Sequence, residues 1–142
     1  MSMEPLLRAS RGKLFAALDI FLASVSDYPG FDPGRDYAPK EREPLDALSD
    51  RYLRAFESAL RFFRTWERLR EAAPSETFRD LLLRMEKVGL ISSAQAWLTM
   101  RDVRNRIAHE YLPEELAKIY AAMVEQGGDE FRRLHEKVAG LE

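Results

Sequence analysis

The chain has 142 residues, of which 46% are hydrophobic and 32% are charged, and its net charge is -2. This length fits one domain that buries roughly two-thirds of its unfolded surface, and the hydrophobic content excludes a wholly disordered chain. The absence of cysteine excludes disulfides and cysteine-ligated zinc, and two histidines, His109 and His135, are too few for a histidine-rich metal site. The acidic balance excludes a protein that coats nucleic acid by bulk charge, so any nucleic-acid contact is expected at a local site.

Targeting and membrane signals are absent from the sequence. Residues Met1 to Arg11 lack the basic, apolar and small-residue order of a signal peptide. The longest apolar stretch, Leu14 to Val25, contains Asp19 and is shorter than the roughly 18 residues that span a bilayer. We therefore expect a soluble, cytoplasmic protein that does not bind membranes and uses neither a metal nor another cofactor.

The first half of the chain is predicted to contain two helices separated by a loop. From about Glu4 to Val25, apolar residues recur at spacings of three, four and seven, which is typical of an amphipathic helix. The segment from Ser26 to Pro44 is rich in proline and glycine, and it is predicted to be a long loop. A second helix, from about Leu45 to Ala72, keeps the helical spacing and ends before Pro74. Aromatic residues in the loop indicate that it packs onto the helices; they are Tyr28, Phe31 and Tyr37.

The second half is predicted to contain three more helices. The third follows Ser75 and Thr77, begins at Phe78 and ends near Gly89; the fourth, from Ala94 to Tyr111, is capped by Ser92 or Ser93. The fifth begins at Pro113, runs to Gln126, pauses at Gly127 and Gly128, and resumes from Asp129 to Val138. No strand pattern or repeat is present. The sequence therefore predicts an all-α protein, a four- to five-helix antiparallel bundle in a single domain over residues 1–142.

The segment 100–111, MRDVRNRIAHEY, carries the most chemistry. On a helical wheel Tyr111 continues the apolar stripe of this helix, which also contains Met100, Val103 and Ile107. Arg104 lies at the margin of the stripe, and His109 lies on the polar side, about 140° away on a straight helix. The two residues can act together if Pro113 unwinds the last turn, or if two copies of the helix meet at a dimer axis.

These residue types suit metal-independent cleavage of RNA. An imidazole such as that of His109 titrates near neutral pH and can act as a general base or acid on a ribose hydroxyl or a departing oxygen. The Arg104 guanidinium can stabilise the negative charge that develops on the phosphate, and Asn105 can orient the imidazole. Tyr111 has two interpretations: it packs in the core, or its hydroxyl is exposed for chemistry.

The arrangement of Arg104, Asn105, His109 and Tyr111 near the end of a late helix resembles the R-x4-H-x-Y motif of the HEPN superfamily. The similarity covers about residues 45 to 138. Two HEPN groups are similar: HepT-type toxins that pair with minimal nucleotidyltransferase antitoxins, and substrate-binding proteins of nucleotidyltransferases. Val103 matches the usual residue of neither group at its position, so both remain open. The further similar positions are Phe78, Val88-Gly89-Leu90-Ile91, Trp97-Leu98, Asp102, Glu110, Glu114-Glu115 and Ile119-Tyr120.

The resemblance implies a HEPN-like fold that works as a homodimer and a metal-independent ribonuclease, the toxin of a toxin–antitoxin pair. It assigns catalysis to Arg104 and His109, and it makes Tyr111 the residue that a minimal nucleotidyltransferase modifies with AMP. Asn105 and Asp102 are supporting residues, and Arg101 and Arg106 are expected to contact RNA phosphates or to form salt bridges. The alternative function is a non-catalytic subunit that binds a substrate or nucleotide for a separately encoded nucleotidyltransferase.

Overall fold

The structure, a computed structural model, describes residues 4–141. Within these residues it is all helical, so the predicted all-α bundle is confirmed. No helix among residues 4–141 is both long and apolar enough to cross a membrane. The last three elements follow one another without a break and form one long helix, so the bundle consists of five helical rods. In chain order the elements are α1 Pro5–Ser26, α2 Pro39–Arg70, α3 Phe78–Lys87, α4 Ala94–Ile107, α5 Pro113–Ala122, a π-helical turn Met123–Gly127 and α6 Gly128–Ala139.

Helix α2 begins at Pro39, and the prediction that it begins at Leu45 is wrong. Pro39 occupies the first helical position, where the missing N–H has no helical partner to lose. The Glu41 carboxylate accepts a hydrogen bond from the backbone N of Ala38 at 3.0 Å, which satisfies one free donor at the helix start. Pro44 lies in the second turn at an exposed position, so it removes one backbone hydrogen bond without ending the helix. The loop is therefore confined to residues 27–38.

The 27–38 loop packs onto the bundle through its aromatic residues, as predicted. Phe31 stacks on Tyr37 with the ring centroids 5.1 Å apart, and its other contact is edge-on to Tyr120, also at 5.1 Å. The Tyr37 hydroxyl accepts a hydrogen bond from the backbone N of Asp32 at 2.8 Å, and Gly30 provides a positive φ of 87°. These contacts hold the loop as a defined wall beside α5.

The centre of the core is an aromatic cluster that joins α2, α4 and α6. Tyr52, Trp97 and Phe131 are buried, and the Phe131 ring makes edge-on contacts with Tyr52 at 5.8 Å and with Trp97 at 5.5 Å between centroids. The Tyr52 hydroxyl donates a hydrogen bond to the carbonyl oxygen of Met100 at 2.8 Å, which attaches α4 to α2. Phe62 and Phe63 of α2 are also buried. The position of α4 is therefore fixed by side chains from distant parts of the sequence.

Gly127 and Gly128 do not interrupt the last helix, and the predicted pause there is wrong. Both residues have helical backbone angles, with φ values of -60° and -56°. A Cβ atom at Gly127 would lie 2.9 Å from Cε2 of Tyr52, closer than real Cβ contacts allow. Glycine is therefore needed at 127 because the helix approaches the Tyr52 ring, and the π-helical turn lies at this contact.

The short helices begin as the sequence predicts. The Thr77 hydroxyl accepts a hydrogen bond from the backbone N of Asp80 at 3.0 Å at the start of α3, and the Ser93 hydroxyl accepts one from Ala96 at 3.1 Å at the start of α4. After α3, Gly89 has a φ of 83°, a conformation that favours glycine. Helix α5 begins at Pro113, as expected.

Candidate functional site

Helix α4 ends at Ile107, four residues before the predicted end at Tyr111. The backbone N–H groups of His109 and Glu110 both donate to the carbonyl oxygen of Arg106 at 3.1 Å, which closes the helix in a turn. Leu112 has an extended conformation with ψ of 126°, because Pro113 disfavours helical angles at the residue before it. His109 therefore lies in a turn beyond the helix, and the 140° separation of a straight helix does not apply to it.

Arg104 projects from the last turn of α4 towards α2. Its Nη2 donates to Oε1 of Glu57 at 3.1 Å, and its Nη1 donates to Oδ1 of Asn105 at 3.3 Å. Its Nε is buried and has no hydrogen-bond acceptor within residues 4–141, while the side chain as a whole keeps 37% of its surface exposed. An exposed ion pair contributes only about 0–1 kcal/mol, so Glu57 orients the guanidinium and can give way to a phosphate.

His109 and Tyr111 are both on the surface beyond the end of α4. His109 is exposed, and its imidazole makes no hydrogen bond with another residue of the 4–141 range. Tyr111 is 82% exposed and the neighbouring Leu112 is 62% exposed. The interpretation of Tyr111 as a core residue is wrong, because the helix ends at Ile107 and the apolar stripe ends with it. The Tyr111 hydroxyl is thus open to a partner protein or a ligand.

Asp102 and Arg101 have different surroundings. Asp102 is exposed on α4 and forms no ion pair with the residues that the structure describes. The Arg101 guanidinium lies 4.7 Å from the centroid of the Phe78 ring, a cation–π contact between α4 and the start of α3. Arg101 therefore has a packing role at the α3–α4 interface in addition to its positive charge.

Arg106 forms ion pairs with two acids of the following segment. Its Nη2 lies 2.8 Å from Oε2 of Glu115 and 3.7 Å from Oε2 of Glu110. Hydrogen bonds from Lys118 and then from Arg106 lower the pKa of Glu115. The Glu110 carboxylate also accepts hydrogen bonds from the backbone N–H groups of Tyr111 and Leu112 at 3.2 and 3.1 Å. Arg106 thus helps to hold the turn in which His109 lies, the salt-bridging role expected for it.

A cleft of about 720 Å³ lies beside this turn. One wall is formed by Ile107, Glu110 and Tyr111, and the opposite wall is formed by the 27–38 loop and the start of α2. This volume is within the range of small-ligand sites, roughly 300–1,000 Å³. The cleft combines aromatic rings with one cation and one acid from α2; these residues are Phe31, Tyr37, Tyr111, Tyr120, Arg42 and Asp46.

Three members of this region were not predicted from the sequence. Glu57 orients Arg104 from 47 residues away, and no local pattern marks that pairing. Arg42 lies within the segment that was predicted to be a loop, and Asp46 lies just after it. Both line the cleft from α2, which begins at Pro39. Both charges line the same cleft as Tyr120; burial raises the pKa of Tyr120, while Arg42 lowers it and Asp46 raises it further.

No protein-family model matches the sequence, and no curated protein has significant sequence similarity to it. The geometry of the described residues and the motif itself therefore carry the functional argument.

Proposed function

We propose that this protein is a HEPN-type metal-independent ribonuclease, the toxin of a pair with a minimal nucleotidyltransferase antitoxin. The observation that carries the proposal is the early end of α4, which leaves both Arg104 and His109 accessible at one end of the same helix. An imidazole can transfer protons in cleavage at a ribose 2′-hydroxyl, and a guanidinium can stabilise the charge that develops on the phosphate.

In the proposed reaction, one imidazole removes the proton from the 2′-hydroxyl, whose oxygen attacks the adjacent phosphorus. The bond from phosphorus to the 5′-oxygen breaks, and a protonated imidazole returns a proton to that oxygen. The products are a 2′,3′-cyclic phosphate and a 5′-hydroxyl. Arg104 exchanges Glu57 for the phosphate oxygens and stabilises their added charge, and Asn105, bonded to the same guanidinium, supports its orientation.

The proposal includes a homodimer, because one imidazole cannot accept and donate a proton in the same step. Two His109 side chains brought together by a two-fold axis would provide both the base and the acid. The exposed side chains of Tyr111 and Leu112 beside His109 support a protein contact at this end of α4, since large apolar groups are exposed there.

The first experiment measures cleavage by purified protein with a labelled RNA in the presence of EDTA. His109→Ala should reduce the rate by about 10²–10⁴-fold and Arg104→Ala by about 10²–10³-fold, while RNA affinity changes much less. His135→Ala is the matched control, because it removes the other histidine, which lies outside the motif and stacks on Phe15. This variant should keep the wild-type rate. If wild type and His109→Ala are equally inactive on RNA and equally harmless in cells, the ribonuclease proposal fails.

A mixing experiment tests whether the site uses both protomers. Because the proposed reaction uses the His109 imidazoles of both protomers, a heterodimer of wild type and His109→Ala has lost one of the two. Wild-type subunits that are re-equilibrated with excess His109→Ala should therefore lose most of their activity, whereas excess His135→Ala should not reduce it. A monomer by light scattering, or wild-type activity that excess His109→Ala leaves unchanged, would argue against the composite site.

The alternative, a non-catalytic subunit that presents a nucleotide or substrate to a nucleotidyltransferase, is supported by the aromatic cleft. Tyr111 is exposed and suited to stacking on a base, and the half-buried Arg42 forms no ion pair within residues 4–141. This function predicts saturable nucleotide binding by wild type that Tyr111→Ala weakens, with no RNA cleavage. Both functions imply a complex with a nucleotidyltransferase.

A further inference from the structure

Three arginines form a straight row on one exposed face of α2. Arg61, Arg64 and Arg68 fall within a sector of about 60° around the helix axis, and they are separated along it by about 4.5 and 6 Å. Glu57 lies in the same sector, one turn before Arg61, and it binds Arg104. The row therefore extends from the position of the Arg104 guanidinium along α2.

The row borders a groove of about 780 Å³ between α1, α2 and residues 71–74. Lys13 of α1 lies on the other side of this groove, and apolar surface, including the half-exposed Leu6, forms part of its lining. Of the two acids in the groove, Glu67 is 2% exposed and already binds Arg84 at 2.8 Å and the Ser75 hydroxyl. Glu71 is the second acid. Four cations thus face one satisfied and one free carboxylate.

None of the four cations, Lys13, Arg61, Arg64 and Arg68, forms an ion pair with a residue in the described part of the chain. Like charges three or four residues apart on a helix destabilise it by roughly 0.2–0.5 kcal/mol per pair. The sequence retains this repulsion although acids outnumber basic residues, 24 to 22. An anion from outside the chain would remove the repulsion, and arginine binds phosphate oxygens through two parallel hydrogen bonds.

We propose that this groove, defined by Lys13, Arg61, Arg64 and Arg68, binds the phosphodiester backbone of single-stranded RNA and directs it to Arg104. The inference rests on the proposed function, because it takes Arg104 as the site of cleavage. A regular row of charges suits a polymer with regularly spaced phosphates, and the alignment with Arg104 would place one phosphate there. An acidic protein segment needs no such alignment, which favours RNA as the occupant.

The test measures binding without cleavage, using full-length His109→Ala protein and a short fluorescent single-stranded RNA. If Arg104 and the four groove cations contact phosphates, the affinity should fall about 130-fold between about 50 and 200 mM salt, from a log–log slope of about -3.5. Changing Arg61, Arg64 and Arg68 to Gln should leave a slope of about -1.4 and only about a 7-fold loss over the same range. At about 50 mM salt, the triple Gln variant should also bind the RNA more weakly than the protein with the intact groove.

The matched control changes Arg79, Arg132 and Lys137 to Gln, which also removes three positive charges, but at exposed positions outside the groove. The inference is supported if the control keeps the wild-type salt slope and the groove variant loses it. It is overturned if the groove variant and the control variant bind RNA equally, or if no variant binds RNA. It is also overturned if the groove residues are needed for binding polyglutamate but not for binding RNA. Groove-dependent RNA binding by a wild-type protein that does not cleave would support the groove and refute the ribonuclease proposal.

Discussion

Replacement of Gly127 by alanine should destabilise the fold, although alanine is the better helix former. The added Cβ would lie 2.9 Å from Cε2 and 3.4 Å from Cδ2 of Tyr52. The ring cannot move away easily, because its hydroxyl binds the Met100 carbonyl and the ring makes edge-on contacts with Phe21 and Phe131. Overpacking of a core costs roughly 1–3 kcal/mol, whereas the gain in helix propensity is about 1 kcal/mol. We expect a net loss of up to about 2 kcal/mol.

Gly128→Ala is the matched control for this prediction. A Cβ at Gly128 meets only the end of the Arg132 side chain at 3.4 Å and Val25 at 3.6 Å, both ordinary contacts. This variant should gain up to about 1 kcal/mol from helix propensity. Urea unfolding of both variants gives the comparison, and the midpoint of thermal unfolding should shift by about 3 °C per kcal/mol. Equal stabilisation by the two alanines would refute the role of Gly127 in the approach to Tyr52.

Two further predictions concern Glu67 and Tyr111. Burial raises the pKa of Glu67, but hydrogen bonds from Ser75 and Arg84 outweigh burial and leave the pKa below its usual 4.5. The stabilisation by this carboxylate is therefore present above about pH 4.5 and is lost as the pH falls through the folded-state pKa. The unfolding free energies of wild type and Glu67→Gln should converge in acid, and a difference that stays constant with pH would contradict this. After co-expression with an active minimal nucleotidyltransferase, mass spectrometry should find AMP on the Tyr111 peptide and none there in Tyr111→Phe, and modification confined to another segment would reject this assignment.

Local sequence patterns determined the helices and most of their ends. The capping hydroxyls of Thr77 and Ser93, the positive φ of Gly89 and the first-turn position of Pro113 were all predictable. Each depends on interactions within about one helical turn, which a short stretch of sequence contains in full. The all-α class followed from the same local periodicity of apolar residues.

Features that depend on distant residues were decided by the tertiary structure. Pro39 and Pro44 were predicted to lie in a loop, yet α2 begins at Pro39 and continues through Pro44. Gly127 and Gly128 were predicted to interrupt the last helix, yet it continues through both, and the Tyr52 ring fills the space that a side chain at 127 would occupy. The same holds for the candidate site, where Glu57 binds Arg104 across 47 residues. Tyr111 matches the apolar period but is exposed, because a helical wheel assumes a helix that here ends at Ile107. Periodicity describes an existing helix, whereas its ends and neighbours depend on contacts that folding brings together.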